Sequence, residues 1–492
     1  MRRVLKNQPA DKQIILTSLV SLLFFFALAL NVTPYLRGFA PMPQWLWQYR
    51  LAALHYALLL PLLVLFLILF TAKVLMNKSE QYFLSHERKL LSVVLLLCLL
   101  FQLSVIFASS GGLLIVLQRT IHPVIIGYFS AALTIHSLPS FLHNYPSTVS
   151  SYPNLAKYHP PGSILLFWLI NQFSSLLMFV IKPPPTVQPS HVDLRPLWNS
   201  LSASEKIGAL LSGYIVIFLA SLTSLVMYYL GKLLYNPKVG MQAALLAIVI
   251  PAMTVFTPFN DVFSPLFTAV SFYFYLKGFK QGSSFAFLLS GAILFIGAFF
   301  TLTVLATLVI YAVVAASYAL TKKLSMRKLL TYAIEFLAGF LILPLSLYFI
   351  VGFNSIASTT AILDSHLAFV KARQHQPLWL IYNYYDFFLF SGIPLLIVFL
   401  SQCKSAITFL AKKQYGLDVV FVGFCLMTLL LDLSGKMNGE TGRTWTPFIP
   451  FLLLPLVNYV VKEEKQTNYY LFILLLQGIQ VLILGTFLIT VS

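Results

Sequence analysis

Two short stretches hold the residues best able to do chemistry. Thr257-Pro258-Phe259-Asn260-Asp261-Val262-Phe263-Ser264-Pro265 wedges an acid between two apolar runs with no room for a real loop, so Asp261 is held near a hydrocarbon boundary. A carboxylate there is costly unless it is paired, hydrated or functional, although Asn-Asp flanked by prolines is also ordinary turn chemistry. The second stretch, Gly439-Glu440-Thr441-Gly442-Arg443-Thr444-Trp445, sets Glu440 and Arg443 three apart at the mouth of an apolar run, between glycines that permit tight turns. That pair reads equally as a local ion pair beside a helix start and as a functional pair, because a guanidinium fork matches phosphate oxygens. Further cations are Arg119 and, in a charged stretch from about 352 to 384 with Asp364, His366, His375 and Trp379, Lys371 and Arg373. His159 stands in Lys157-Tyr158-His159-Pro160-Pro161-Gly162. Its two prolines lack backbone donors and have fixed φ, so they end the preceding polar loop and suit the first turn of a helix.

The elements that must position these residues are set by composition. Over 492 residues the chain is 59% hydrophobic and only 9% charged, with mean hydropathy +0.86. That is far too little charge for the surface of a soluble protein, and runs of roughly 20 apolar residues recur along the whole length. The class is therefore an all-α, polytopic transmembrane helical bundle with juxtamembrane helices and loops on its outer face. A net charge of +18 would suggest nucleic acid in a soluble protein; here membrane topology accounts for most of it, and no nucleic-acid partner is expected. Cys98, Cys403 and Cys425 lie in or beside apolar runs without partner spacing, so neither a disulfide framework nor a metal site is read from them.

Basic residues cluster in short connections: Arg2/Arg3/Lys6/Lys12, Lys73/Lys78/Arg88/Lys89, Lys232/Lys238, Lys277/Lys280, Lys322/Lys323/Arg327/Lys328, Lys404/Lys412/Lys413 and Lys462/Lys465. The positive-inside rule puts these in the cytoplasm. Spans then fall near 15–31, 52–76, 91–109, 207–230, 241–257, 262–276, 284–300, 301–320, 329–351, 385–400, 418–434, 445–461 and 468–489. That makes about thirteen, with the N-terminus cytoplasmic and the C-terminus extracytoplasmic in the plasma membrane. The first apolar run follows a basic segment as a signal peptide does, but Asn31-Val32-Thr33-Pro34 is a poor cleavage site, so the span is read as retained. The pair around Thr301 is either a tight hairpin or one broken helix. Three divisions follow: a two-span N-terminal segment over 1–90, a core over 91–461 with a large outer loop at 109–206, and a last span within 462–492. That loop contains the stiff Pro183-Pro184-Pro185 and the interfacial aromatics Tyr145, Tyr152, Tyr158 and Trp198. The apolar run 163–181 is the exception to the alternation of sides: it either stays on the outer face, or 112–132 crosses as well.

In this order the motifs resemble the GT-C class of polyprenyl-phosphate-dependent glycosyltransferases, the class of protein O-mannosyltransferases and lipid A aminoarabinose transferases. His159-Pro160-Pro161-Gly162 before an apolar run resembles the His-Pro-Pro-Leu element that closes their first large outer loop. A span ending Leu230-Gly231-Lys232-Leu233-Leu234-Tyr235, another span and then Asn260-Asp261 resembles their basic cytoplasmic turn followed by an outer acidic residue. Gly439 to Trp445 with Pro447 and Pro450 resembles a late motif of bacterial proteins of this type. The likeness covers roughly 91–460 and rests on few residues.

The resemblance implies transfer of a sugar from a polyprenyl-phosphate donor to an extracytoplasmic glycan, lipid or protein acceptor, with inversion. It implies Asp261 or Glu440 as the carboxylate base, with Asp261 preferred; Arg443 as phosphate contact, with Lys371, Arg373 and Arg119 in reserve; and His159 orienting substrate or holding the loop. No cofactor is required, and a divalent Mg or Mn ion has a place only where two oxygen ligands come close. One departure stands out. The family carries an acid soon after the span that opens the first loop, whereas Gly127-Tyr128-Phe129-Ser130-Ala131-Ala132-Leu133 has none, and the chain holds no carboxylate between Glu87 and Asp193. A transporter or flippase of a lipid-linked or anionic substrate and a non-catalytic scaffold are the rival classes. The former lacks a convincing internal repeat here, and the latter gains from the missing acid.

Overall fold

The computed structural model describes residues 8–40, 46–52, 55–109, 111–180, 182–183, 194–322, 324–371, 377–411, 418–437, 439–461 and 467–490. Arg2, Arg3, Lys6, Pro184, Pro185, Asp193, Lys323, Arg373, His375, Lys412, Lys413, Lys462 and Lys465 lie outside the described residues. The chain is an almost wholly helical, multi-pass membrane protein. Seven helices are long and apolar enough to cross a bilayer, and five shorter apolar ones accompany them among the described residues.

Most apolar runs read from the sequence become single helices; 241–257 divides into Pro237–Ile248 and Ala252–Val255 at Pro251, and two other differences are informative. The run 385–400 is two helices, Trp379–Ser391 and Ile393–Ala411, broken at Gly392. Gly392 has φ 121°, a conformation that favours glycine, and a Cβ there would fall 1.7 Å from Gln477 Oε1. The break is mended from 86 and 91 residues away: Gln477 Nε2 donates to Ser391 O at 2.8 Å, Gln480 Nε2 to Leu389 O at 2.7 Å, and Gln480 Oε1 accepts Ile393 N–H at 2.8 Å. Backbone freed inside a membrane bundle persists where neighbouring side chains satisfy it in this way. At Thr301 the chain likewise leaves one helix for another. Ser284–Phe300 packs on Ser264–Gln281 and Met326–Val351, a 3-10 turn follows over Leu302–Thr307, and Leu308–Thr321 packs on Val419–Leu433.

Two ends of the bundle can be told apart chemically. At one, Lys232 Nζ meets Glu87 Oε2 at 2.5 Å, Lys280 donates to Leu233 O, and the Tyr235 hydroxyl donates to Asp418 Oδ2 at 2.5 Å. The other end carries Asp261, Asp386, Asp432, Glu440 and Arg443. Residues Gln48–Tyr49, just beyond the first helix, pair antiparallel with Leu488–Ile489, and Arg50 N–H donates to Phe487 O at 2.9 Å. This pairing ties the segment after the first helix to the end of the last one.

The region 109–206 is built of short helices, Leu114–Ile121, Tyr128–Leu133, Leu138–Thr148 and Arg195–Ser200, around the 16-residue Gly162–Leu177. The stretch 112–132 does not cross: at 1.5 Å rise per residue its two helices span only about 12 and 9 Å. Gly162–Leu177 runs antiparallel to Ala203–Leu234, since Ser174 Oγ donates to Ser204 O at 2.8 Å while Asn171 packs on Gly208. Ala203–Leu234 leads to the lysine end, so Gly162–Leu177 starts deeper and rises toward the acid-bearing end. It stays on that side, with Leu169, Phe173 and Leu176 exposed along its apolar face.

Candidate functional site

The acid-bearing end is assembled from three pieces of chain. Asn260–Phe263 forms one 3-10 turn at the start of Ser264–Gln281 and buries Asp261 to 2% exposure. The turn is tied down by Thr446, whose hydroxyl donates to Asp261 O at 2.7 Å. Arg443, in the single helical turn Thr441–Thr444, is 5% exposed. Its Nη1 donates to Asp261 Oδ2 at 2.9 Å and its Nη2 to Glu440 Oε2 at 2.5 Å, and the guanidinium lies 5.1 Å from the centre of the Phe259 ring. Buried charges persist only when paired and hydrogen-bonded, and both arms of the fork are used here. Among the described residues no donor reaches Asp261 Oδ1. Glu440 differs from Asp261 in two ways: its side chain is 35% exposed, and its backbone is left-handed at φ 54°, a strain of about 1–3 kcal/mol for a residue other than glycine.

The loop that presents Arg443 is clamped from Trp379–Ser391. Asp386 accepts Gly442 N–H on Oδ2 at 2.8 Å and Trp47 Nε1–H on Oδ1 at 2.7 Å. Asn383 Oδ1 accepts Gly439 N–H at 3.0 Å, and its Nδ2 donates to Met437 O at 2.9 Å and to Asp432 Oδ1 at 2.7 Å. Asp386 and Asn383 are positioning residues that the sequence reading did not single out. Asp386 had a usable signal, being a lone acid in the apolar run Tyr384-Tyr385-Asp386-Phe387-Phe388, the same argument that selected Asp261. Trp47 brings the loop after the first span into the same cluster.

The His-Pro-Pro-Gly element reaches the site through the residue after it. Asn260 Nδ2 donates to Ser163 Oγ at 2.5 Å, which joins the start of Gly162–Leu177 to the turn that carries Asp261. The His159 ring stands edge-on to Tyr128 at 5.8 Å, its Nδ1 faces Leu155 O at 2.9 Å, and its own carbonyl accepts the Tyr145 hydroxyl at 2.7 Å. Tyr128 lies in the stretch 127–133, which carries no acid. Its hydroxyl and Asn260 Oδ1 are both buried beside Asp261 and Arg443 without a well-formed hydrogen bond; burial, with Asp261 second, pushes the phenol above its ordinary value, and the neighbouring Arg443 and Asn260 side chains oppose that shift. Burial likewise pulls the His159 imidazole below its ordinary 6.5, against the nearby Asp261 charge and the Leu155 carbonyl and with the help of Arg443 and His366. A histidine with a depressed folded-state value contributes stability above its unfolded value and loses it on acidification. The melting temperature is therefore expected to fall as pH drops below about 6.5, more steeply than in a His159→Gln variant; equal slopes in a pH series of melts would remove His159 from the account.

Arg119 lies apart from the trio of Asp261, Arg443 and Glu440. Arg119 donates through Nη1 to Val255 O at 3.0 Å and Thr257 O at 2.6 Å, and through Nη2 to Thr490 Oγ1 at 3.3 Å. It braces the segment leading to Asp261 rather than joining Arg443. Lys371 ends the helix Ser355–Lys371, which packs over Leu138–Thr148 and the turns up to Tyr158, and Arg373 is outside the described residues. A divalent cation fits poorly: no group of three His, Cys, Asp or Glu comes together among the described residues, and the two carboxylates that do converge already share a guanidinium.

No family model matches the sequence, and no curated protein aligns with it significantly. Among solved structures, the chain is similar to the oligosaccharyltransferase of Archaeoglobus fulgidus, solved in complex with zinc and sulfate, at 12% identity and a TM-score of 0.36. The match covers 76% of this chain and 53% of that one, so the chain spans about half the length of this relative.

Proposed function

We propose that the chain is a membrane glycosyltransferase that moves a sugar from a polyprenyl-phosphate donor to a hydroxyl of an extracytoplasmic acceptor, with inversion, in the plasma membrane. The observation that carries this reading is the trio of buried Asp261 and Arg443 with the part-exposed Glu440, in which Asp261 Oδ1 is left unbonded. Arg443 orients the Asp261 carboxylate, and Oδ1 takes the proton of the acceptor hydroxyl as its oxygen bonds to the anomeric carbon. The bond from that carbon to the phosphate oxygen breaks, and the electron pair leaves with the lipid phosphate. That growing charge is met by the guanidinium arm that Glu440 holds at rest, because Glu440 is the exposed and strained partner and so the one easily displaced. Asn260 and Tyr128 supply polar atoms without well-formed hydrogen bonds beside the trio for a sugar or acceptor hydroxyl. His159, which offers neither a carboxylate nor a free face, holds the loop.

The test is turnover of polyprenyl-phosphate sugars by the purified protein. Asp261→Asn is expected to lower kcat by about 10²–10⁴-fold, the usual contribution of a general base, while still leaving Arg443 paired with Glu440. Full activity in Asp261→Asn would remove the base assignment; no turnover by the wild-type chain with any such donor would remove the class.

A further inference from the structure

A second basic site adjoins the segment that leads to Asp261, through the bonds of Arg119 to Val255 O and Thr257 O. Arg50, Ser109, Arg119, Thr254 and Thr490 line a small cavity of about 60 Å³ at the outer ends of the helices Glu87–Ala108 and Thr467–Phe487. Two guanidiniums facing one cavity repel each other, and no carboxylate pairs with Arg119 among the described residues. Burial, and after it the charge of Arg50, lowers the proton affinity of Arg119. Arg50 is held by carbonyls, its Nη2 donating to Gly485 O at 3.0 Å and Thr486 O at 2.9 Å, so it is not free to swing away. The hydroxyl of Thr254, 1% exposed, lines the same cavity and has no hydrogen-bond partner. A buried hydroxyl without a partner costs about 1–3 kcal/mol. One tetrahedral oxyanion would neutralise the repulsion and accept from the hydroxyl together.

We propose that this cavity binds a phosphate group, presented by the headgroup of an anionic phospholipid at the outer bilayer boundary or arriving as free phosphate. The anion would lock Arg119, and Arg119 holds the carbonyls of Val255 and Thr257, so occupancy stiffens the segment that ends in Asp261. The site is independent of the transferase reading and takes no part in its chemistry.

The experiment compares thermal unfolding of the full chain in neutral detergent with about 20 mM inorganic phosphate and with chloride at equal ionic strength. It is repeated in phosphatidylcholine nanodiscs with and without phosphatidic acid. A ligand that binds only the folded state raises the melting temperature, here by about 3 °C for at least one source; a shift with phosphatidic acid alone assigns the headgroup, and one with phosphate alone assigns the free ion. Ser109→Glu, which puts a carboxylate into the cavity, is expected to abolish the shift, and Thr254→Val to halve it; Arg443→Lys should leave it intact. No shift from either source, an unchanged shift in both cavity variants, or a shift lost in Arg443→Lys overturns the site.

Discussion

Arg443→Ala is expected to lose about 3–5 kcal/mol of stability, the usual cost of removing one partner of a buried ion pair. The carboxylate of Asp261 would stay at 2% exposure with no cation beside it, and the Phe259 face would lose its guanidinium. Glu440 suffers less because its side chain already reaches solvent. The double variant Asp261→Ala/Arg443→Ala removes the stranded charge and is expected to recover much of the loss, so the two substitutions are strongly non-additive. Melting curves for the wild type, both single variants and the double variant check this. An Arg443→Ala protein that melts within about 0.5 kcal/mol of the wild type, the range of an ordinary surface change, would mean that the ion pair is not part of the folded state.

Gly162→Leu, which writes His-Pro-Pro-Leu at 159–162, is expected to destabilise the chain. A Cβ on Gly162 would lie 2.3 Å from Phe299 O and 2.8 Å from its carbonyl carbon, at the end of Ser284–Phe300. Backbone cannot yield as a side-chain tip does, so the helix start must move. It would carry Ser163 off Asn260, whose 2.5 Å hydrogen bond is the link to the Asp261 turn. Overpacking of this kind costs up to about 3 kcal/mol, and a smaller loss is expected for Gly162→Ala. Thermal unfolding reads the loss directly. Unchanged stability in the leucine variant would show that the approach to Phe299 is not this close.

Most of the long helices were legible in the sequence because apolar length is a strong signal, but the run 385–400 read as one span straight across Gly392. The repair of that break was hidden too, since Gln477 and Gln480 stand 86 and 91 residues from the carbonyls of Ser391 and Leu389 that they hold and nothing in a linear pattern couples them. The same holds for the site. Glu440 and Arg443 were legible as a pair because three residues apart is a local relation, whereas Arg443 and Asp261 are 182 apart and meet only through packing. Asp261 was found by its misfit with apolar surroundings; Asp386 was among the available acids, but Asp261 and Glu440 better combined depth at the bilayer edge with a constrained backbone. The short helices of 109–206 were invisible for a different reason. Segments of 6 to 11 residues are too short to display a 3.6-residue period.

The mended break at Gly392 makes the end of the chain an organ of the site. Asn383 and Asp386 hold the Arg443 loop from the half-helix Trp379–Ser391, and that half-helix ends against Gln477 and Gln480. The last helix thus works as a splint: bending it re-aims the half-helix, and with it the loop and the guanidinium. A substitution in the final span, far from any reacting atom, would then present itself as an active-site defect. Selection on the site therefore reaches into a stretch whose apolar composition alone would mark it as interchangeable membrane filler.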